Sequence, residues 1–204
     1  TLAYLYGTLG MVEEADKKYN EATDMKPDDP DLANNYGAFL CSINKLDEAQ
    51  EKFKVAYSNP FYKSIYLAES NAGSCYLKAG DYEKAVMYFD KISQDETAIN
   101  EIYNYYRLCL LELDRFKDAE RLCKTVVKTN PENLSYNVDL GIVYEKWEKI
   151  QKRDQQFSKS VDLIQPKTNY SQISSLAFAF EKIGQLNYSI QVYTAGNKYN
   201  QTNP

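Results

Sequence analysis

Four alanines recur at a nearly constant interval. Ala15, Ala49, Ala85 and Ala119 follow one another after 34, 36 and 34 residues, and each is followed four positions later by Tyr19, Phe53, Phe89 or Cys123. Twelve positions before the first three alanines stand Ala3, Gly37 and Gly73. The same slot later holds Arg107, Gly141 and Ala177, and Pro27, Pro60, Pro131 and Pro166 fall near a common place at the unit ends. A chain built this way must stack copies of one supersecondary unit, each burying its apolar face against the next. Only 8 glycines and 6 prolines occur in 204 residues, which argues against a β-sandwich or a flexible linker.

A 34-residue period with small, small and aromatic positions and a closing proline resembles the tetratricopeptide repeat (TPR) pattern. The resemblance implies an all-α fold, a right-handed α-solenoid of about six helix pairs. Its units run over residues 1–29, 30–61, 62–97, 98–131, 132–166 and 167–204, one array with no separate domains. In each unit the axes of helices A and B approach closely, so a small residue is expected on both. Gly37 and Gly73 are expected to meet Ala49 and Ala85, with Phe53 and Phe89 filling the space toward the next unit. Gly10, Gly80 and Gly184, with Asn44 and Asp114 standing in elsewhere, mark the A–B turns. Units five and six depart from the pattern, with Arg153 and Ser189 in the alanine slot. The first unit starts inside helix A, so the chain reads as a portion of something longer.

Composition narrows the chemistry. Histidine is absent, which excludes Ser-His-Asp and Cys-His catalysis and every His-bearing zinc site. No carboxylate pair forms a catalytic constellation, and no cofactor or metal is expected. Lys+Arg 24 against Asp+Glu 29 leaves −5, with no polycationic face expected for nucleic acid or anionic lipid. No stretch approaches the 20 or so apolar residues that cross a bilayer. The four cysteines form no CxxC. Cys41 and Cys75 lie on neighbouring A helices and could lean together. Buried thiols are one reading; a disulfide between them is the other, expected in an oxidising compartment.

The remaining face of such a stack is the concave groove lined by the A helices. Repeat register places Asn34, Asn35, Asn71, Asn104, Tyr105 and Asp139 there. An asparagine amide both donates and accepts, so Asn35 and Asn71, sharing one position in adjacent units, suit the backbone of an extended peptide or protein segment. The bland alternative is that both are solvated or cap local backbone. At the far end, helix B of unit six carries Ile190, Tyr193 and Tyr199 with Lys198 as its only charge, an expected docking face for another protein, a second copy of the chain or a further segment.

The segments ANNYGAFLC (33–41), AESNAGSCYLKAG (68–80) and the intervening LDEAQEKFKVAYSNPFY resemble the type IV pilus biogenesis PilF/PilW (pilotin) family. The resemblance covers about residues 1–95 and touches Asn34, Asn35, Gly37, Cys41, Asn71, Gly73 and Cys75. It implies a non-enzymatic TPR lipoprotein on the periplasmic face of the outer membrane. Its partner would be a secretin subunit, whose pore it helps to assemble. The alternative is a cytoplasmic TPR adaptor that scaffolds soluble proteins.

Overall fold

The computed structural model describes residues 2–95, 98–165 and 167–200, with residues 199 and 200 described through their backbone alone. The described residues form twelve α-helices and no strand, an all-α repeat fold. Within each compact part of the chain, helices A and B follow one another and pack as antiparallel pairs. The first three pairs are α1 (Leu2–Thr8) with α2 (Val12–Met25), α3 (Pro30–Ser42) with α4 (Leu46–Tyr57), and α5 (Ile65–Lys78) with α6 (Tyr82–Ile92). Then come α7 (Ile99–Glu112) and α8 (Phe116–Thr129), followed by the pairs α9 (Leu134–Lys146) with α10 (Ile150–Asp162) and α11 (Tyr170–Lys182) with α12 (Leu186–Asn200). The chain divides into two compact units, residues 1–109 and 110–204. The division falls inside α7, two residues after Arg107, the one large side chain in the small-residue slot of an A helix.

The A–B turns repeat one geometry six times. Gly10, Asn44, Gly80, Asp114, Glu148 and Gly184 all have positive φ, between 53° and 79°. In each turn the next residue's N–H reaches back five positions, from Met11 to Tyr6 O and likewise through Gln185 to Phe180 O, over 2.8–3.0 Å. This closure satisfies carbonyls that the end of helix A leaves orphaned, and the left-handed residue is what lets the chain reverse. Glu148 is the unexpected member. Nothing in its side chain favours positive φ, so the turn there is imposed by the pair of helices it joins.

Gly37 meets Ala49 as expected, and Phe53 reaches the following pair, but the rings of helix B also fill the glycine notches. A Cβ added to Gly37 would lie 2.7 Å from the Phe53 ring, and one added to Gly73 would lie 2.8 Å from Phe89. At Gly141 the Phe157 ring is closer still, at 2.2 Å. Each phenylalanine of helix B therefore occupies the notch left by the glycine of its own helix A. Phe53 also shares a core cluster with Ala72 and Cys75 of the following pair. All three rings are fully buried, each worth about 2–3 kcal/mol of apolar transfer.

In the first unit, Tyr19, Tyr36 and Phe39 form an aromatic group, with Tyr19 and Tyr36 stacked at 4.8 Å. In the second unit, Phe157, Phe180 and Tyr188 pack with centroids 4.9–5.4 Å apart. The irregular slots of that unit are satisfied by polar contacts. Arg153 bridges Glu145 at 2.7 Å and Asp154 at 2.8 Å, and buried Ser189 donates to Glu181 over 2.7 Å.

Candidate functional site

Within the first unit, α1, α3 and α5 lie side by side and present one face. Two hollows open on it. The first, about 270 Å³, lies between α1 and α3 and is lined by Tyr4, Thr8, Asn35, Phe39 and Ser42 among others. The second, about 240 Å³, lies between α3 and α5, with Phe53, Asn71, Ser74 and Lys78 around it. Ala38 and Ser42 line both, so the two form one trough crossing α3. Its walls are mainly apolar, with a few amides and hydroxyls at intervals. That mix fits an extended segment that buries alternate side chains and keeps its backbone hydrogen-bonded.

Cys41 and Cys75 stand at the floor of the second hollow. The structure joins them in a disulfide, with Cα atoms 5.8 Å apart and a sequence separation of 34. This geometry lies inside the range a bridge requires. It ties α3 to α5 where the trough passes over both. Above it, Lys78 Nζ lies 3.2 Å from Ser42 O and 3.4 Å from Cys41 O, a cation seated on the C-terminal carbonyls of α3. The end of a helix carries partial negative charge, so the ammonium is favoured there.

The asparagines divide in role. Asn35 is exposed and lines the first hollow. Asn71 is half-buried, lines the second hollow, and donates from Nδ2 to Asn34 Oδ1 over 2.9 Å. Asn34, expected to face the groove, is instead 4% exposed and inside the contact between α3 and α5. The reason is angular: neighbouring residues on a helix point about 100° apart, and this step turns Asn34 from the open face toward the next A helix. The expected in-register pair of asparagines therefore serves unequally, one open to a ligand and one bonded across the helices.

Asn104 and Tyr105 are exposed on α7, Tyr105 to 48%, but line neither hollow. Asp139 is half-buried on α9 in the second unit. On α12, Ile190 is 64% and Tyr193 37% exposed, and the side chain of Tyr199 lies outside the described residues. The trough also contains Thr8 and Ser42, residues the sequence did not single out. Register places them there: Thr8 and Ser42 share with Lys78, which the repeat register does put in the groove, the slot five positions after the small residue of their helix, and Ser74 stands one after its own.

Residues 1–29 and 70–93 match the tetratricopeptide repeat family model. Those stretches are TPR repeats. Among curated proteins, an uncharacterized protein of Haemophilus influenzae is 38% identical over 61 residues, covering 30% of this chain and 34% of that relative's length. Among solved structures, PilW, described as a widely conserved type IV pilus biogenesis factor, superposes with a TM-score of 0.60 at 23% identity. It covers 77% of this chain and 72% of its own. PilF of Pseudomonas aeruginosa superposes with a TM-score of 0.61 at 14% identity, covering 94% of this chain and 85% of its own. At these identities the likeness is one of fold.

Proposed function

We propose that this chain is a periplasmic, outer-membrane-associated assembly factor of pilotin type. In this reading it belongs to a lipoprotein that helps a type IV pilus secretin assemble, and its mechanism is binding without chemical turnover. The trough across α1, α3 and α5 holds an extended secretin segment. Asn35 is its open backbone partner, and Thr8, Ser42 and Ser74 supply further hydrogen bonds. The observation that carries the reading is the Cys41–Cys75 bridge at the floor of the trough. A disulfide suits an oxidising compartment, and cytosolic thiols are kept reduced. The PilW-like fold and the sequence resemblance over residues 1–95 support the same assignment. The exposed Ile190 and Tyr193 on α12 offer a second contact for a partner.

The test is direct. Purified secretin segments are titrated against the chain by calorimetry, beside an Ala38→Trp variant. Ala38 is exposed and lines both hollows, so an indole there fills the trough without entering the core. Binding that Ala38→Trp abolishes, with helical circular dichroism unchanged, supports the proposal. Absence of secretin binding, or binding indifferent to that substitution, overturns it.

A further inference from the structure

The net charge of −5 conceals an uneven distribution. Residues 1–109 carry 11 Lys and Arg against 18 Asp and Glu, a net of −7; residues 110–204 carry 13 against 11, a net of +2. Much of the second unit's positive charge is gathered on one helix. Along α8, Lys117, Arg121, Lys124 and Lys128 are all exposed and are spaced by four, three and four residues. At about 100° per residue they fall within an arc of about 60°, and from first to last they span about 16 Å at 1.5 Å rise. They line a shallow hollow of about 350 Å³. The absence of a cationic face, expected from composition, does not hold at this scale.

Internal pairs leave the line partly uncommitted. Arg121 bridges Asp118 at 2.9 Å and Lys124 bridges Glu120 at 2.8 Å, yet their side chains remain 73% and 58% exposed. Lys117 and Lys128, at the two ends, make no ion pair among the described residues. The two carboxylates flank the line on opposite sides, since their helical angles fall outside its arc.

We infer that this strip is a docking surface for an acidic helix of a protein partner. An acidic helix with carboxylates at the same four-three-four spacing presents its charges in a line of equal length and pitch. Carboxylates on one side of an extended strand come every 6.6–6.8 Å or so, and four would outrun the strip. A nucleic acid or a membrane fits less well. A broad polyanion laid on a line this narrow would overlap Asp118 and Glu120. No exposed aromatic or aliphatic side chain stands within the arc of the four cations to stack on bases or enter lipid: Ala119, Leu122, Cys123 and Val126 are buried, and Phe116 and Val127 are half-buried at helical angles outside that arc.

The strip lies on a B helix of the second unit, so its test is separate from that of the trough. The probe is a fluorescent helical peptide whose glutamates repeat the spacing of the strip. Controls are a scrambled peptide of equal composition, vesicles containing phosphatidylglycerol, and a single-stranded oligonucleotide. Anisotropy is read with the full chain, with Lys117→Ala/Lys128→Ala, and with Ala38→Trp. Both lysines are exposed and make no ion pair among the described residues, so their removal leaves the fold intact. The patterned peptide should bind several-fold tighter than the scrambled one and weaken as salt rises. It should lose about 3–10-fold in the lysine variant, since exposed charge pairs contribute modestly, and nothing in Ala38→Trp. Equal binding of the two peptides, indifference to the lysine substitutions, or preference for vesicles or oligonucleotide would overturn the inference. So would self-association of the chain that the lysine substitutions abolish.

Discussion

Asn34, Asn35 and Asn71 are chemically identical, and the structure assigns each a different consequence on removal. Asn71 Nδ2 donates to Asn34 Oδ1 over 2.9 Å, and Asn34 is 4% exposed. Asn71→Ala therefore leaves an acceptor without its donor where water does not reach, at a cost of about 1–3 kcal/mol. Asn35 is exposed, and no hydrogen bond among the described residues holds its side chain. Asn35→Ala removes only solvated polar atoms from a helix in which alanine has the better propensity by up to about 0.7 kcal/mol. Its stability should stay level or rise slightly, while affinity for a peptide in the trough falls by about 0.5–1.5 kcal/mol if the amide bonds the ligand backbone. The double variant Asn34→Ala/Asn71→Ala removes donor and acceptor together and should lose less than the two single losses added. The shortfall measures the coupling, expected in the range of about 0.5–3 kcal/mol for contacting residues. Urea unfolding followed by far-ultraviolet circular dichroism gives the comparison, with midpoints read at a common slope. The reasoning fails if Asn71→Ala is as stable as Asn35→Ala, or if the double variant is simply additive.

Three further outcomes follow from the packing and the bridge. Cys41→Ser/Cys75→Ser, or reduction of the native chain, should lower stability by about 3–4 kcal/mol for a loop of 34 residues; peptide mapping without reductant should recover the two cysteines in one linked fragment. Gly141→Ala should destabilise by about 1–3 kcal/mol despite alanine's better helix propensity, because its Cβ would lie 2.2 Å from buried Phe157; a thermal melt equal to or above the parent's would contradict this. Alkaline titration should show phenols that resist ionisation. Burial, then the charge of Asp31, pushes Tyr62 up to about 12, and burial followed by a carboxylate hydrogen bond raises Tyr36 and Tyr144. Each holds its proton more tightly folded than unfolded, so this contribution is complete below pH 10 or so and is lost as pH rises toward 12. Unfolding midpoints that stay flat across that interval would refute it.

Most of the fold was legible because a repeat constrains the same slot several times. One glycine twelve residues before one alanine says little, whereas the recurrence at Gly37 and Gly73 identifies close helix pairs. The turns at Gly10, Gly80 and Gly184 were readable for the same reason, and Asn44 and Asp114 could be added because they tolerate positive φ. Glu148 was not readable. Its backbone conformation is dictated by the helices on either side, and its own side chain carries no signal of it. The expectation that Phe53 reaches toward the next unit was half of its destination, since the same ring also fills the notch of Gly37.

Sites are harder to read than folds because they consist of differences between equivalent positions. The position five residues after the small one is threonine in α1, serine in α3 and lysine in α5. The repeat predicts that all three share a face, but only the structure shows that Lys78 rests on the carbonyls of Cys41 and Ser42. Averages hide local chemistry in the same way. A net charge of −5 excludes nothing at the scale of one helix, because a partner meets four cations about 16 Å from end to end and not the sum over 204 residues. Register gives the facing of each helix, and distances decide which of the facing groups remain open. At the trough that distinction separates Asn35, which a ligand can reach, from Asn71, whose amide already holds two helices together.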